Sequence, residues 1–584
     1  MIGPTQVVRS CGASIKSFWD GLTSGGPSES RYQYSFWILA VLGGALMLLL
    51  SGDYGITTDE GHRSYCGRMI LKFFLSGGVD RTCLSADPRN FYSGFFDVLA
   101  ALLYGGISGN LNQLLSLPYG GEFQLPYYFE IRHMLNALFG FSAMVFTGLI
   151  AKEIRGWRAA VLSFLFICLT PRFFGHSMNN PKDIPAAMAY AMTLWSMIRF
   201  LKTWPHPKAS TVLCLTASLA IALGIRAGGL LLFCYLFLFS GLAWLLHAIH
   251  EKQWQVPFRM FFCIAGIATA AYFVGLLFWP YGMLDPIHHP LQALAESVHF
   301  QLQKDLPVLF DGNYFPAAQL PWFYIPKWIL ISVPFFIHLG LIFFAAFFRQ
   351  IRLQGLFLFM LLFAVFFPVL FAILKHSVLY DSWRHFLFVY PPLVVLSALA
   401  WDYFLSRAGR GVLRTLSVGL LLLCLAEPAV WMVRFHPNES VYFNSLTGGL
   451  KGAYGRYETD YWGNSLRAAS KWVASFYETQ ALNRPIKVKS HVDSMLPEYY
   501  LMPELGSNLL KCRRSDTDWD FWIGQRWSLP DMIKKRPWPP STTIHAVEVD
   551  GVPLCVVLRN PSRIYDPGPR KNPPLKVPVH DPGI

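Results

Sequence analysis

Charged side chains are scarce in this sequence. Asp, Glu, Lys and Arg make up 14% of its 584 residues, against 53% apolar ones, where a soluble chain of this size carries nearer a quarter charged. That shortage excludes an ordinary globular surface. No CxxC and no His/Cys cluster has the spacing of a zinc site. No small-residue cleavage site follows the first apolar run, which excludes a cleavable signal peptide. No internal repeat is evident either. What is present instead is a series of apolar runs, among them Trp37–Leu50, Ala159–Leu169, Leu230–Leu246, Met260–Trp279 and Leu416–Val433. They are apolar all round, without the polar stripe of a core helix in a soluble protein. With their mildly polar flanks they approach the roughly 20 residues that cross a hydrocarbon core.

The expected architecture is a polytopic α-helical membrane protein of about eleven transmembrane helices. The spans are placed near residues 35–51, 127–150, 158–175, 184–201, 210–225, 229–247, 259–279, 327–348, 353–374, 386–405 and 413–434. Alternate short connections carry Lys152, Arg155 and Arg158; Arg199, Lys202 and Lys208; Lys252 and Arg259; Arg349 and Arg352; Arg407, Arg410 and Arg414. Short basic loops stay cytoplasmic, so the N-terminal tail, residues 1–34 with Arg9, Lys16 and Arg31, is expected inside an inner (plasma) membrane and the C-terminus outside. The formal net charge of +14 follows from these loops and the two tails and calls for no nucleic acid. The segment Phe91–Ser108 decides the parity. It is read as a helix in the interface, its apolar face broken by Asp97 and several glycines.

Of ten cysteines, Cys66 with Cys83 and Cys512 with Cys555 fall outside by this topology, where disulfides and thiols are both allowed. The same side receives four long or polar segments of a membrane domain taken as residues 35–435. The first outer loop, 52–126, opens with Thr57-Thr58-Asp59-Glu60-Gly61-His62. The second segment is Phe174 to Pro185, with Asn180, Lys182 and Asp183. The third outer loop, 281–325, holds His288, His289, His299, Lys304, Asp305 and Asp311. The fourth is His376 to His385, with Asp381 and Arg384.

Ionisable groups crowded at the ends of apolar helices are costly unless paired or in water. Two carboxylate sites, Asp59/Glu60 and Asp183, beside the cations Arg384, His385, Lys182 and Arg226 suit one reaction type. A carboxylate takes the proton of an incoming hydroxyl, and cations hold a phosphate leaving group. The bland alternative is that these charges pair with one another and mark the interface. Arg226, in Gly224-Ile225-Arg226-Ala227-Gly228-Gly229, either reaches an anionic headgroup or snorkels to the interface. Arg132, His133 and Asn136 open the second span.

An ordered set of segments then resembles a known family: Thr58-Asp59-Glu60-Gly61-His62, Arg132-His133-Met134-Leu135-Asn136-Ala137, Asn179 to Pro185, and Trp383-Arg384-His385 running into Tyr390-Pro391-Pro392. It is similar to the GT-C glycosyltransferases, more narrowly to the dolichyl- or polyprenyl-phosphate-mannose protein mannosyltransferases of glycosyltransferase family 39 and their relative, the lipid A aminoarabinose transferase. The resemblance covers roughly Gly52 to Trp462. It implies a sugar carried on a polyprenyl phosphate, transferred with inversion to a hydroxyl of a protein, glycan or lipid on the extracytoplasmic face. It implies Asp59 as general base, Glu60 as its tuner or an acceptor-orienting group, and Asp183 as a positioning acid. Arg384 and His385, with Arg226 and Lys182, fall to the donor phosphate, and His62, Arg132, His133, Asn180 and Asp381 to acceptor or supporting roles. It implies no metal and no cofactor beyond the lipid-linked sugar. The chain departs from the family in the stretch Asp80–Asn90 and in lacking a central inserted domain.

From His436 the sequence turns soluble, and residues 436–560 are expected to form a small extracytoplasmic α/β domain. A helix is placed at Ser465–Gln480 and strands at Ile486–His491, Trp519–Ile523 and His545–Leu558, the last a hairpin turning at Asp550-Gly551. Asp460, Tyr461 and Trp462 either line an acceptor entrance or pack the domain. Residues 561–584, rich in Pro, Lys and Arg, read as disordered. Two other classes remain against the glycosyltransferase: a transporter or lipid flippase, which usually shows repeated halves and broken spans at the midplane, and a non-catalytic scaffold.

Overall fold

The computed structural model describes residues 29–84, 92–251, 258–298, 300–351, 353, 355–409, 411–480, 484–490, 495–512, 516–525 and 538–562. The tail before Glu29, the stretch 85–91, Lys252, His299, Arg352, Arg410 and the Pro-rich end from Arg563 lie outside the described residues. The chain divides into two compact units. Residues 1–53, 63–116 and 129–457 make the first; residues 54–62, 117–128 and 458–584 make the second.

The first unit is a helical membrane domain, and the chain is a multi-pass membrane protein. Eight described helices are long and apolar enough to cross a bilayer: Glu29–Asp53, Tyr128–Arg155, Asp183–Lys202, Ala227–Ile249, Phe258–Leu276, Gly355–Leu374, Arg384–Arg407 and Val412–Phe435. Two further expected spans are not straight. Trp157–Cys168 and Pro171–Asn179 meet at 70°, and Tyr324–Ser332 and Phe335–Phe347 at 115°. Proline causes both breaks. It lacks the N–H for the helix ladder and drives the residue before it out of the helical region. Thr170 accordingly sits at φ −97°, ψ 103° and Val333 at φ −99°, ψ 141°. Counting each bent pair once gives up to ten spans. The remaining expected span is the apolar helix Ala209–Ile225, of 17 residues.

The parity-deciding segment forms a helix over Phe95–Ser108, only 14 residues long, well short of the roughly 20 that a span needs. Asp97 does not merely interrupt its apolar face. It is fully buried, taking Arg63 Nη2 at 2.5 Å and Arg132 Nη2 at 2.7 Å. The Glu60–Leu75 helix crosses so closely there that a Cβ on Gly67 would lie 2.4 Å from the Asp97 side chain.

Residues 436–457, expected with the soluble tail, are built into the helical unit instead. The break at Pro334 leaves helix-end carbonyls without ladder partners. Asn444 satisfies them, its Nδ2 donating to Leu330 O and Val333 O at 2.8 Å and its N–H to Ile331 O at 3.0 Å. In the third outer loop, β1 (Pro307–Phe310) and β2 (Asn313–Pro316) pair as a hairpin. Its turn, Asp311-Gly312, takes φ of 53° and 83°, the left-handed pair that a two-residue hairpin demands.

The second unit carries a five-stranded mixed sheet in the order β4-β3-β5-β7-β6. The strands are β3 (Ile486–Ser490), β4 (Leu509–Leu510), β5 (Phe521–Gln525), β6 (Thr543–Val549) and β7 (Val552–Arg559), with the helix Leu466–Thr479 and an unanticipated helix, Met495–Leu505. β3 runs parallel to β5 and β5 antiparallel to β7. Asp550-Gly551 turns the β6–β7 hairpin at φ of 50° and 70°. Cys66, Cys83, Cys512 and Cys555 are all buried thiols, and neither candidate disulfide is formed.

Candidate functional site

Asp183 begins its helix because Asn180 prepares the turn. Asn180 Oδ1 accepts from the Asp183 N–H at 2.8 Å, and Asn180 Nδ2 donates to Asp183 Oδ2 at 3.1 Å. A carboxylate in a helix's first turn also meets the positive end of the dipole. The side chain is buried, so its charge needs partners. Arg384 Nη1 binds Oδ2 at 3.0 Å and Arg226 Nη1 binds Oδ1 at 3.1 Å. Arg226 stands in extended backbone at φ −160° between two membrane helices. The following turn closes only because residue 229 is glycine: a Cβ there would lie 2.5 Å from the Ala222 backbone.

Arg384 also donates from Nε and Nη2 to Asp381 Oδ2, at 3.1 and 2.9 Å. The turn that supplies this carboxylate is strained. Asp381 and Ser382 sit at φ of 55° and 61°, where non-glycine residues are uncommon.

Beside this network lies a cavity of about 430 Å³. Its wall is mostly apolar, with Leu230, Leu294, Phe367, Phe371 and Phe388 among the lining groups, and its ionisable lining includes Lys182, Arg226 and His385. Lys182 Nζ lies 4.0 Å from the Tyr92 ring centroid and has no carboxylate partner among the described residues. His385 meets Tyr380 edge to face at 4.8 Å. Tyr190, another lining residue, donates to Ala364 O at 2.8 Å and contacts Tyr235 Oη at 3.0 Å.

The first unit thus gathers Asn180, Lys182, Asp183, Arg226, Asp381, Arg384 and His385. Arg132 is engaged elsewhere, by Asp97, in a triad that joins three helices. His133 is buried near it in sequence, and Asn136 donates to the carbonyls of His176 and Ser177 at 3.1 and 3.0 Å. Asp97 was visible as the one acid in an apolar stretch, the usual mark of an ion pair. Tyr92 and Tyr380 carry no such signal in the sequence.

Asp59, Glu60 and His62 belong to the second unit. Glu60 is buried and accepts from the N–H and hydroxyl of Thr57 at 2.8 and 3.1 Å, while its own N–H donates to Thr57 O at 3.1 Å and closes the turn ahead of the helix. The preceding residues are tied to the tail. Gly55 N donates to Asn464 Oδ1 at 2.9 Å, Ile56 N to Tyr500 Oη at 2.8 Å and Thr58 N to Trp462 O at 3.2 Å. Asp460 holds that loop in shape by accepting from the backbone of Gly463, Asn464 and Ser465. Asp59 and His62 remain partly exposed. Among the described residues no group of His, Cys, Asp and Glu is arranged to hold a metal ion.

No family model matches the chain, and no curated protein matches it in sequence. Among solved structures, the chain is similar to apo ArnT from Cupriavidus metallidurans, at 14% identity and a TM-score of 0.45, over 90% of this chain and 98% of that one. It is similar to the same protein bound to undecaprenyl phosphate, at 13% identity and a TM-score of 0.44 over the same shares. A third is the archaeal oligosaccharyltransferase AglB from Archaeoglobus fulgidus, in complex with an inhibitory peptide and a dolichol-phosphate. There the identity is 13% and the TM-score 0.43, over 85% of this chain and 69% of that one. Both proteins have the GT-C fold, the fold group that the sequence motifs resemble. At these scores the likeness carries nothing further.

Proposed function

We propose that this chain is a membrane glycosyltransferase that moves a sugar from a polyprenyl-phosphate donor to a hydroxyl acceptor on the extracytoplasmic face. One observation carries the reading: Lys182, Arg226 and His385 line a mostly apolar cavity, backed by the buried Asp183–Arg384 pair. The prenyl chain occupies the apolar part and the phosphate lies against Lys182 and Arg226. Negative charge grows on the phosphate as the anomeric C–O bond breaks. Cations already fixed in a poorly hydrated place stabilise that charge without reorganising.

Asp59 is proposed as the base, on the motif and not on geometry. It takes the acceptor's proton while the hydroxyl oxygen bonds to the anomeric carbon from the side opposite the phosphate. The phosphate leaves with the electron pair of the broken bond, and the anomeric configuration inverts. Glu60, bound to Thr57, keeps the Asp59 turn in place. Asp183 fixes Arg226.

The test uses the purified full chain and a labelled polyprenyl-phosphate sugar. Lys182→Gln and Arg226→Gln should each weaken donor binding by about tenfold, the scale of one lost charge-assisted contact. Asp59→Asn should bind donor normally and transfer about a hundredfold more slowly or worse. Full transfer by Asp59→Asn would remove the base assignment. A wild-type protein that transfers from no such donor but moves a solute into liposomes would remove the class.

A further inference from the structure

The resemblance assigns Arg384 to the donor phosphate, yet the structure gives that side chain a different setting. All three guanidinium nitrogens meet carboxylates: Nε and Nη2 meet Asp381 and Nη1 meets Asp183. Arg384 is buried, and it is not among the residues lining the cavity, whereas its neighbour His385 is. We infer that Asp381 is a positioning residue, which clamps Arg384 onto Asp183 and thereby sets Arg226 and His385 on the cavity wall; Arg384 acts through Asp183 and does not touch the phosphate. This inference rests on the donor reading above and gives one of its residues a different role.

Two features of the loop support it. Within His376–His385, three non-glycine residues, His376, Asp381 and Ser382, have φ between 48° and 61°. Backbone held in that region is retained where surrounding structure over-determines it, and such positions gather at ligand sites. The surroundings do so here. Val378 N donates to Val298 O at 3.1 Å, Leu379 N to Ala317 O at 3.2 Å and Trp383 Nε1 to Ser332 Oγ at 2.8 Å. The loop is therefore pinned at three places while its middle supplies Asp381. The chemistry points the same way. An Arg in a two-carboxylate clamp has little positive potential left for a third anion, while Lys182, with no carboxylate partner among the described residues, keeps its own.

Asp381→Asn is the informative variant, because Asn tolerates the left-handed region as well as Asp does. It keeps the turn and removes the charge. Released from one side, Arg384 shifts on Asp183 and disturbs the carboxylate that also holds Arg226. The expected result is a kcat lower by about tenfold with donor KM unchanged or lower, the pattern of a lost transition-state arrangement rather than lost binding. Lys182→Gln should do the reverse, raising KM first. Ser382→Gly relieves the strained φ and should fold at least as stably as wild type, yet transfer more slowly as the clamp loosens.

A donor-independent arm uses hydrogen exchange over residues 376–385. Asp381→Asn should lose protection there while the Tyr390–Arg407 helix keeps its own. A raised KM with unchanged kcat in Asp381→Asn would place Arg384 on the phosphate and overturn the inference. So would unaltered exchange and unaltered kinetics. A wild-type protein that neither binds nor transfers from the donor would instead overturn the donor reading, and the exchange arm would still decide whether the clamp exists.

Discussion

The Arg384–Arg407 span contributes to a buried ion-pair cluster near each end, through Arg384 and Asp402. At its start the buried Asp183 lies between Arg384 and Arg226. Near its finish the buried Asp402 lies between Arg155 and Arg158, each at 2.5 Å, and Lys202 is paired with Glu153. The surroundings differ. The Asp402 cluster joins helix ends: Arg155 also donates to Ile351 O, and Arg158 to the Asp402 carbonyl, both at 3.1 Å. The Asp183 cluster adjoins a cavity, a strained turn and a lysine without a carboxylate partner among the described residues. An ion pair between helices is therefore weak evidence of a site. What distinguishes a site is charge left over beside a space that can take a ligand.

Removing each carboxylate tests that distinction. Asp183→Asn leaves two arginines facing a neutral amide beside the cavity. Transfer should fall by about a hundredfold or more, since fixed charges at a reacting centre are worth that much in rate. Its measurement is single-turnover transfer on protein that has passed size exclusion. Asp402→Asn should cost stability instead. Breaking a fully buried pair costs about 3–5 kcal/mol. The Asp402 arginines are 23% and 26% exposed, so about 2 kcal/mol is expected after allowing for solvent. Folded Asp402→Asn protein should transfer at the wild-type rate. If it transfers as poorly as Asp183→Asn, the two ends are not different in kind.

Much of this was legible in the sequence, but not the pairing. Apolar runs gave the membrane class, and the turn pair Asp550-Gly551 gave a hairpin at its observed place. The breaks at Thr170-Pro171 and Val333-Pro334 were written in the residues too. They were read through because a hydropathy window registers composition and not the missing N–H of proline. The Thr57–Glu60 turn was overlooked because Glu60 was read as chemistry before it was tried as a partner of its own turn. Asp183 and Arg384 stand 201 residues apart; no local pattern joins them, and the charge-based topology set them on one face without pairing them. The attachment of residues 54–62 to the tail unit depends on Gly55, where a Cβ would meet Asn464 O at 2.3 Å, and a lone glycine gives no hint of its partner.

Two titratable groups outside the membrane-spanning helices, His436 and Asp311, extend the comparison to pH, with opposite signs. His436 has a carboxylate at each ring nitrogen, Glu439 at 2.8 Å and Asp53 at 3.1 Å. Burial works against its protonation, but the hydrogen bonds and charges of these acids outweigh it and raise the imidazole above its ordinary range. A raised group stabilises the fold below its unfolded value of about 6.5 and loses that contribution as pH rises through the folded value. His436→Gln should therefore narrow the stability difference between pH 6 and pH 8, read as the thermal midpoint, by an amount worth about 1 kcal/mol or less.

The smallest effect belongs to Asp311 at the tip of the β1–β2 hairpin. The Lys327 ammonium at 2.7 Å, helped by Tyr457 at 3.0 Å and Arg456 at 2.8 Å, holds its carboxyl down at about 2. A lowered acid contributes fully above its unfolded value of about 3.9 and loses that contribution as pH falls toward the folded one. Its side chain is 34% exposed, so screening leaves the cluster well under about 1 kcal/mol. Asp311→Asn, which keeps the left-handed turn, should unfold at nearly the wild-type midpoint at pH 7. The two should converge fully between about pH 4 and pH 2, where wild type alone still loses a proton-linked contribution. A gap that widens on acidification would mean that Asp311 is not held by these cations. A gap at pH 7 as large as that of Asp402→Asn would mean that solvent exposure does not weaken ion pairs here, and the contrast between buried and open clusters would fail with it.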